Sequence, residues 1–115
     1  MSLHVTLQQT ERELRETAAM HRVTILYPTG DDATFDLDYY CNKHMPLLSE
    51  RLGDACKGWG VDKVVSGPYQ AIGWALVDSL DAFNAAMGEH GAEIMADVPN
   101  YTNVSPQLVI GEVKI

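Results

Sequence analysis

One histidine in this chain sits where proton chemistry can be done. His44 lies in the stretch FDLDYYCNKHMPLL, residues 35–48. An imidazole with an ordinary pKa near 6.5 can give or take a proton at neutral pH, or ligate a metal or haem. Leu37, Tyr40, Cys41, His44 and Leu48 recur at helical spacing and make one face, so the ring is aimed inward. Tyr40 stands one turn before His44, close enough for phenol and imidazole to touch. These two are the candidate catalytic residues, His44 as acid, base or ligand and Tyr40 as the group that orients it. The same spacing also fits a core histidine bonded to backbone beside a packed tyrosine.

Three further aromatic residues are candidates for contact with a substrate. Trp59, between Gly58 and Gly60, can line the mouth of a cavity. Trp74 is large and amphipathic, although its place in a strand equally suits a core. Tyr101, in Tyr101-Thr102-Asn103, can close over a pocket or simply belong to the loop before the last strand. Other constellations are missing from the sequence. There is no G-x-S-x-G, no H-E-x-x-H and no phosphate-binding glycine loop. No second histidine stands at metal spacing from His44, and Cys41 and Cys56 form no C-x-x-C, so no metal centre is expected.

The elements that must position His44 follow from local chemistry. Asp36 can cap a helix start by accepting orphan backbone N–H groups. Pro46 removes a donor and crowds the carbonyl of Asn42, which predicts a kink near His44. Gly53 suits the helix end. Arg22–Tyr27 is rich in β-branched residues and reads as a strand. Gly58–Ser66 and Tyr69–Val77 read as two more, joined across Gly67-Pro68 as a hairpin. Ser79 or Asp78 can cap a second helix through Leu80, Phe83, Ala86 and Met87. Gly88 and Gly91 weaken it, so Ala92–Val98 is expected as a separate helical segment ended by Pro99. Leu108–Ile115 is the last strand. Residues 1–20 read as an appendage, with a Thr10–Glu13 capping box and a short helix from about Glu11 to Ala19. Residues 21–115 read as one domain.

The order strand, helix, strand, strand, helix, strand is the βαββαβ pattern of the ferredoxin-like α+β fold. It implies a four-stranded antiparallel sheet with both helices on one face. The third strand offers Ile72, Trp74 and Leu76 to one face and Ala71, Gly73, Ala75 and Val77 to the other. Both faces are apolar and the helices cover only one, so a second copy is expected on the other, as a homodimer.

Composition narrows the partners. The 115-residue chain carries a formal net charge of -8, which disfavours nucleic acid and anionic membrane surfaces. No apolar run approaches the ~20 residues of a membrane span. Free cysteines and the absence of a secretory signal point to a reducing cytoplasm.

The segments FDLDYYCNKHMPLL at 35–48, GPYQAIGWALVDSLDAFNAAM at 67–87 and ADVPNYTNVSPQLVIGEV at 96–113 together resemble the EthD family, named for an association with ethyl tert-butyl ether degradation. The resemblance covers residues 22–115. It implies a dimeric α+β barrel with a pocket between helices and sheet, His44 at the place of the family's helix histidine and Tyr40 beside it. It also implies an oxidative or degradative enzyme, monooxygenase-like, acting on a small apolar organic molecule. A non-catalytic accessory protein of an oxygenase system and a cofactor-free isomerase are the alternatives. The sequence requires no cofactor; relatives of the fold that act on haem admit haem as a ligand of His44.

Overall fold

A computed structural model describes residues 19–115 of the chain. The expected appendage helix and its capping box fall almost entirely outside the described residues. Strand β1 (His21–Pro28) leads to a composite helix made of α1 (Leu37–Tyr39), a π-helical turn (Tyr40–His44) and α2 (Met45–Leu52). Strands β2 (Cys56–Lys63) and β3 (Tyr69–Val77) follow, then α3 (Leu80–Asp97) and β4 (Gln107–Glu112). The sheet order is β2-β3-β1-β4, every neighbouring pair antiparallel. This is the ferredoxin-like arrangement, with β2 and β3 forming the expected hairpin.

The caps behave as their chemistry requires. The Asp36 carboxylate accepts from the Tyr39 N–H at 3.0 Å. The Ser79 hydroxyl accepts from the Ala82 N–H at 3.0 Å. Gly53 ends α2 with φ 63°, a left-handed value that favours glycine. The kink expected at Pro46 takes the form of the π turn, in which the Met45 N–H bonds to the Tyr40 carbonyl. Proline supplies no N–H to the carbonyl of Asn42, so the ladder widens to i→i+5 where the regular bond is missing.

One expectation is corrected. α3 runs unbroken through Gly88 and Gly91 where two segments were expected. Each glycine costs about 1 kcal/mol against alanine, but Phe83, Met87, Ile94 and Val98 carry one apolar side down the whole length and hold the helix to the sheet.

Alternation in the strands sorts the two sheet faces. Val23 and Tyr27 of β1 and Ala71, Gly73, Ala75 and Val77 of β3 are buried beneath the helices. Tyr27, Tyr40, Phe35 and Tyr101 pack edge to face or tilted, with centroids 4.9–5.8 Å apart. The loop carrying Tyr101 is tied to the loop before α1. Phe35 and Thr102 form an antiparallel bridge, the Asp36 N–H donates to the Tyr101 carbonyl at 2.7 Å, and the Thr102 hydroxyl donates to the Thr34 carbonyl at 2.7 Å.

Candidate functional site

The π turn decides where His44 goes. Its wider winding brings residues four apart nearly into line, and the Tyr40 and His44 rings stack at 5.5 Å with planes 15° apart. Tyr101 leans on the other rings of this group, 4.5 Å from His44. The imidazole is thus gripped by aromatic neighbours and nearly sealed, at 2% exposure.

Its Nδ1 lies 2.9 Å from Oδ2 of Asp97, the last residue of α3. The other carboxylate oxygen, Oδ1, accepts from the Tyr39 hydroxyl at 2.6 Å and from Asn100 Nδ2 at 2.9 Å. Burial pushes the Asp97 carboxyl up, but the hydrogen bonds from Tyr39, Asn100 and His44 outweigh it and hold the group below the ordinary carboxylate range. Asp97 is therefore ionised at neutral pH. Burial pushes the His44 imidazole below its ordinary 6.5, against the opposing hydrogen bond and charge of Asp97. His44 is accordingly neutral at pH 7. A carboxylate can only accept, so the single ring proton must sit on Nδ1. Nε2 is left unprotonated, and among the described residues it has no hydrogen-bond partner.

His44 lines a cavity of about 230 Å³ between the helices and the sheet. The walls are otherwise apolar side chains and Tyr27: Val23 and Ile25 of β1, Leu48 of α2, Phe83, Met87, Ile94 and Met95 of α3, then Val98, Pro106 and Leu108. With Nδ1 held by Asp97, Nε2 is the polar atom His44 has to offer whatever enters. An imidazole whose N–H is held by a carboxylate has its opposite nitrogen available to accept a proton. Among the described residues no lysine or arginine lines the cavity, so an anionic ligand would find no counter-charge from them.

Carboxylate support of a histidine N–H also suits a metal ligand. However, no group of three His, Cys, Asp or Glu side chains converges among the described residues. The cavity is smaller than the roughly 300–1,000 Å³ typical of pockets for drug-sized ligands, so a porphyrin does not fit it.

The structure brings His44, Tyr40 and Tyr101 together and does not bring Trp59 or Trp74 to them. The Tyr40 hydroxyl is buried against Gly73 with no hydrogen-bond partner among the described residues, and Tyr40 is not a cavity wall. Burial pushes the phenols of Tyr40 and Tyr101 up, so both stay protonated. Trp59 pairs with Ala75 on the edge strand β2, on the helix-covered face but two strands away from the cavity-lining β1, and is 38% exposed. Trp74 lies on the open sheet face, its ring over Gly60 and 5.5 Å from the Arg22 guanidinium.

Asp97, Tyr39 and Asn100 were not found from the sequence. A signal existed for Asp97. An acid in the last turn of a helix opposes the macrodipole, which costs roughly 0.3–1 kcal/mol, and such a residue needs a local partner. Regular α-helical winding separates the face of Tyr39 from that of His44, so spacing alone gives no sign that the two share a partner.

With this geometry established, comparison with known proteins places the chain. No protein-family model matches it, and no curated protein does. Among solved structures, an EthD-like protein from Ralstonia eutropha JMP134 is 41% identical over 84% of this chain and 94% of its own, with TM-score 0.80. An ethyl tert-butyl ether degradation family protein from Bacillus halodurans C-125 is 19% identical, covering 83% of this chain and 99% of that one, with TM-score 0.56. SnoaB from Streptomyces nogalater, a cofactor-independent oxygenase, shares the fold at 8% identity and TM-score 0.59, covering 85% and 95% of the two chains. Identity at this level over nearly the whole of the first relative settles the family: the chain belongs to the EthD-like proteins.

Proposed function

We propose that the protein is a small-molecule enzyme in which Nε2 of His44 takes a proton from a neutral, mostly apolar organic substrate. The observation that carries this reading is the Asp97–His44 pair, which fixes the ring proton on Nδ1 and leaves Nε2 without a partner among the described residues, on a side chain that lines an apolar cavity. The substrate class follows from the walls. A charged acid would lack a partner among the described walls, whereas a neutral C–H or O–H acid would leave an anion beside the newly formed imidazolium. An enolisable carbonyl compound or a phenol meets both needs. The anion can pass electrons to oxygen, giving an oxidative reaction, or be reprotonated elsewhere, giving an isomerisation.

The test follows the proton itself. Small enolisable ketones and esters are incubated with the protein in deuterium oxide, and loss of the acidic C–H signal is followed by NMR. The expected result is exchange above the buffer rate that His44→Ala abolishes. Absence of enzyme-dependent exchange across the panel, or equal exchange by folded His44→Ala, contradicts the reading. Binding without exchange supports the non-catalytic alternative. Oxygen uptake separates the oxidative from the isomerising fate.

The quaternary reading is a homodimer through the open sheet face. Leu26, Ile72, Trp74, Leu76 and Val109 share that face, which neither helix of the described residues covers. These apolar side chains, with Arg22, Thr24 and Asp62 among them, suit a cover, and the same face of a second copy provides one by two-fold symmetry. Sedimentation equilibrium at micromolar protein is expected to give twice the 12.7 kDa chain mass; a monomer contradicts it.

A further inference from the structure

Asp97 divides its two oxygens. Among the described residues Oδ2 faces His44 alone, and Oδ1 takes two donors from different elements, Tyr39 from α1 and Asn100 from the turn after α3. The Tyr39 bond, at 2.6 Å, is the shortest of the three. Tyr39 is itself held, because its ring stacks on Tyr101 at 6.2 Å with planes 20° apart. Nothing in proton abstraction by Nε2 calls for donors on the far oxygen of the carboxylate, so they have a separate role.

We propose that Tyr39 is the positioning residue of the His44–Asp97 pair. Its phenol O–H, with Asn100, orients the carboxylate so that Oδ2 meets Nδ1 and draws charge away from that contact, which keeps Nε2 an unprotonated base. The inference rests on the reading of His44 as the base and assigns the group that controls its basicity.

The physics has a definite sign. A carboxylate beside an imidazole stabilises the imidazolium, which strengthens proton binding at Nε2. A hydrogen bond donated to the same carboxylate spreads its charge and weakens that pull. Without the Tyr39 donor, the carboxylate acts on His44 more strongly and the ring protonates at higher pH. The groups facing His44 are few. Tyr40 from its own turn, Tyr101 from the loop after α3 and Tyr27 of β1 are phenols that burial keeps neutral. Asp97 is the charged side chain in contact with the ring among the described residues. The phenol of Tyr39 also stays a donor, because its bond to the Asp97 carboxylate pushes its own pKa up.

The experiment is an NMR titration of the His44 ring in the full-length, ring-labelled protein, comparing wild type, Tyr39→Phe and Asn100→Ala. Tyr39→Phe keeps the ring stacked on Tyr101 and removes only the donor. The expected result is a His44 midpoint at higher pH in Tyr39→Phe, and a smaller shift the same way in Asn100→Ala. The acidic limb of the deuterium-exchange profile should move up by the same interval. An unchanged midpoint in folded Tyr39→Phe overturns the proposal. Should that variant not fold, an unchanged midpoint in Asn100→Ala overturns it instead. A purely structural role for Tyr39 would lower Tm and leave the midpoint where it is. If wild type shows no exchange while the midpoint still shifts, the base reading fails and the positioning role stands.

Discussion

The two faces of strand β3 divide small side chains from large ones. Beneath the helices, β3 presents Ala71, Gly73 and Ala75, and the bulk comes from Tyr27 of β1, Tyr40 of the π turn and the loop rings of Phe35 and Tyr101. On the open face the same strand presents Ile72, Trp74 and Leu76. Each face has a glycine where a ring needs room. Gly73 admits the Tyr40 hydroxyl, and Gly60 admits the Trp74 indole. The difference teaches where chemistry can be built. Small strand residues let the π turn press its rings on the sheet and hold His44 still. Large strand residues project outward and suit contact with another molecule.

Four changes probe this division, from strongest to weakest. His44→Ala should lower enzyme-dependent deuterium exchange by about 10²–10⁴-fold, the usual contribution of a positioned base, while sedimentation shows the same assembly as wild type. Gly73→Ala places a methyl where the Tyr40 hydroxyl lies. Such overpacking typically costs about 1–3 kcal/mol, read as a lower urea midpoint, and it should disturb the His44 ring signals. Trp74→Glu puts a charge on the open face; sedimentation should show a shift to monomer with the His44 titration unmoved. If instead Trp74→Glu alters that titration, the two faces are not independent.

The weakest effect is on stability against pH. His44 has a folded pKa below its ordinary 6.5, so the unfolded chain binds the proton more readily between those two values. Stability should be full above about pH 6.5, decline as pH falls through that window, and level off below the folded pKa. The depressed carboxyl of Asp97 acts in a lower window, below its ordinary 3.8. Tm measured against pH should therefore flatten near pH 6 in His44→Gln and keep its acid decline.

The fold was legible because its signals are local. Asp36 and Ser79 cap the helices, Gly53 ends one, and the alternation along Tyr69–Val77 gives both sheet faces from sequence alone. The unbroken α3 was not legible, because the burial of Ile94 and Val98 that outweighs two glycines depends on tertiary packing. In the site, His44 and its inward aim followed from helical spacing. Asp97 lies 53 residues further along the chain, and only the return of α3 to the π turn joins the two. Tyr39 escaped for a local reason. Regular winding separates its face from that of His44, whereas here both reach the same carboxylate.

The central claim is that His44 is a neutral base with its proton on Nδ1 and Nε2 bare to the cavity. Nitrogen-15 chemical shifts of the His44 ring, followed across pH, test it most directly. The account predicts the Nδ1–H tautomer at pH 7, protonation only at a pH below 6.5, and loss of that tautomer preference in Asp97→Asn. An Nε2–H tautomer at pH 7, or a midpoint above 6.5, would contradict it.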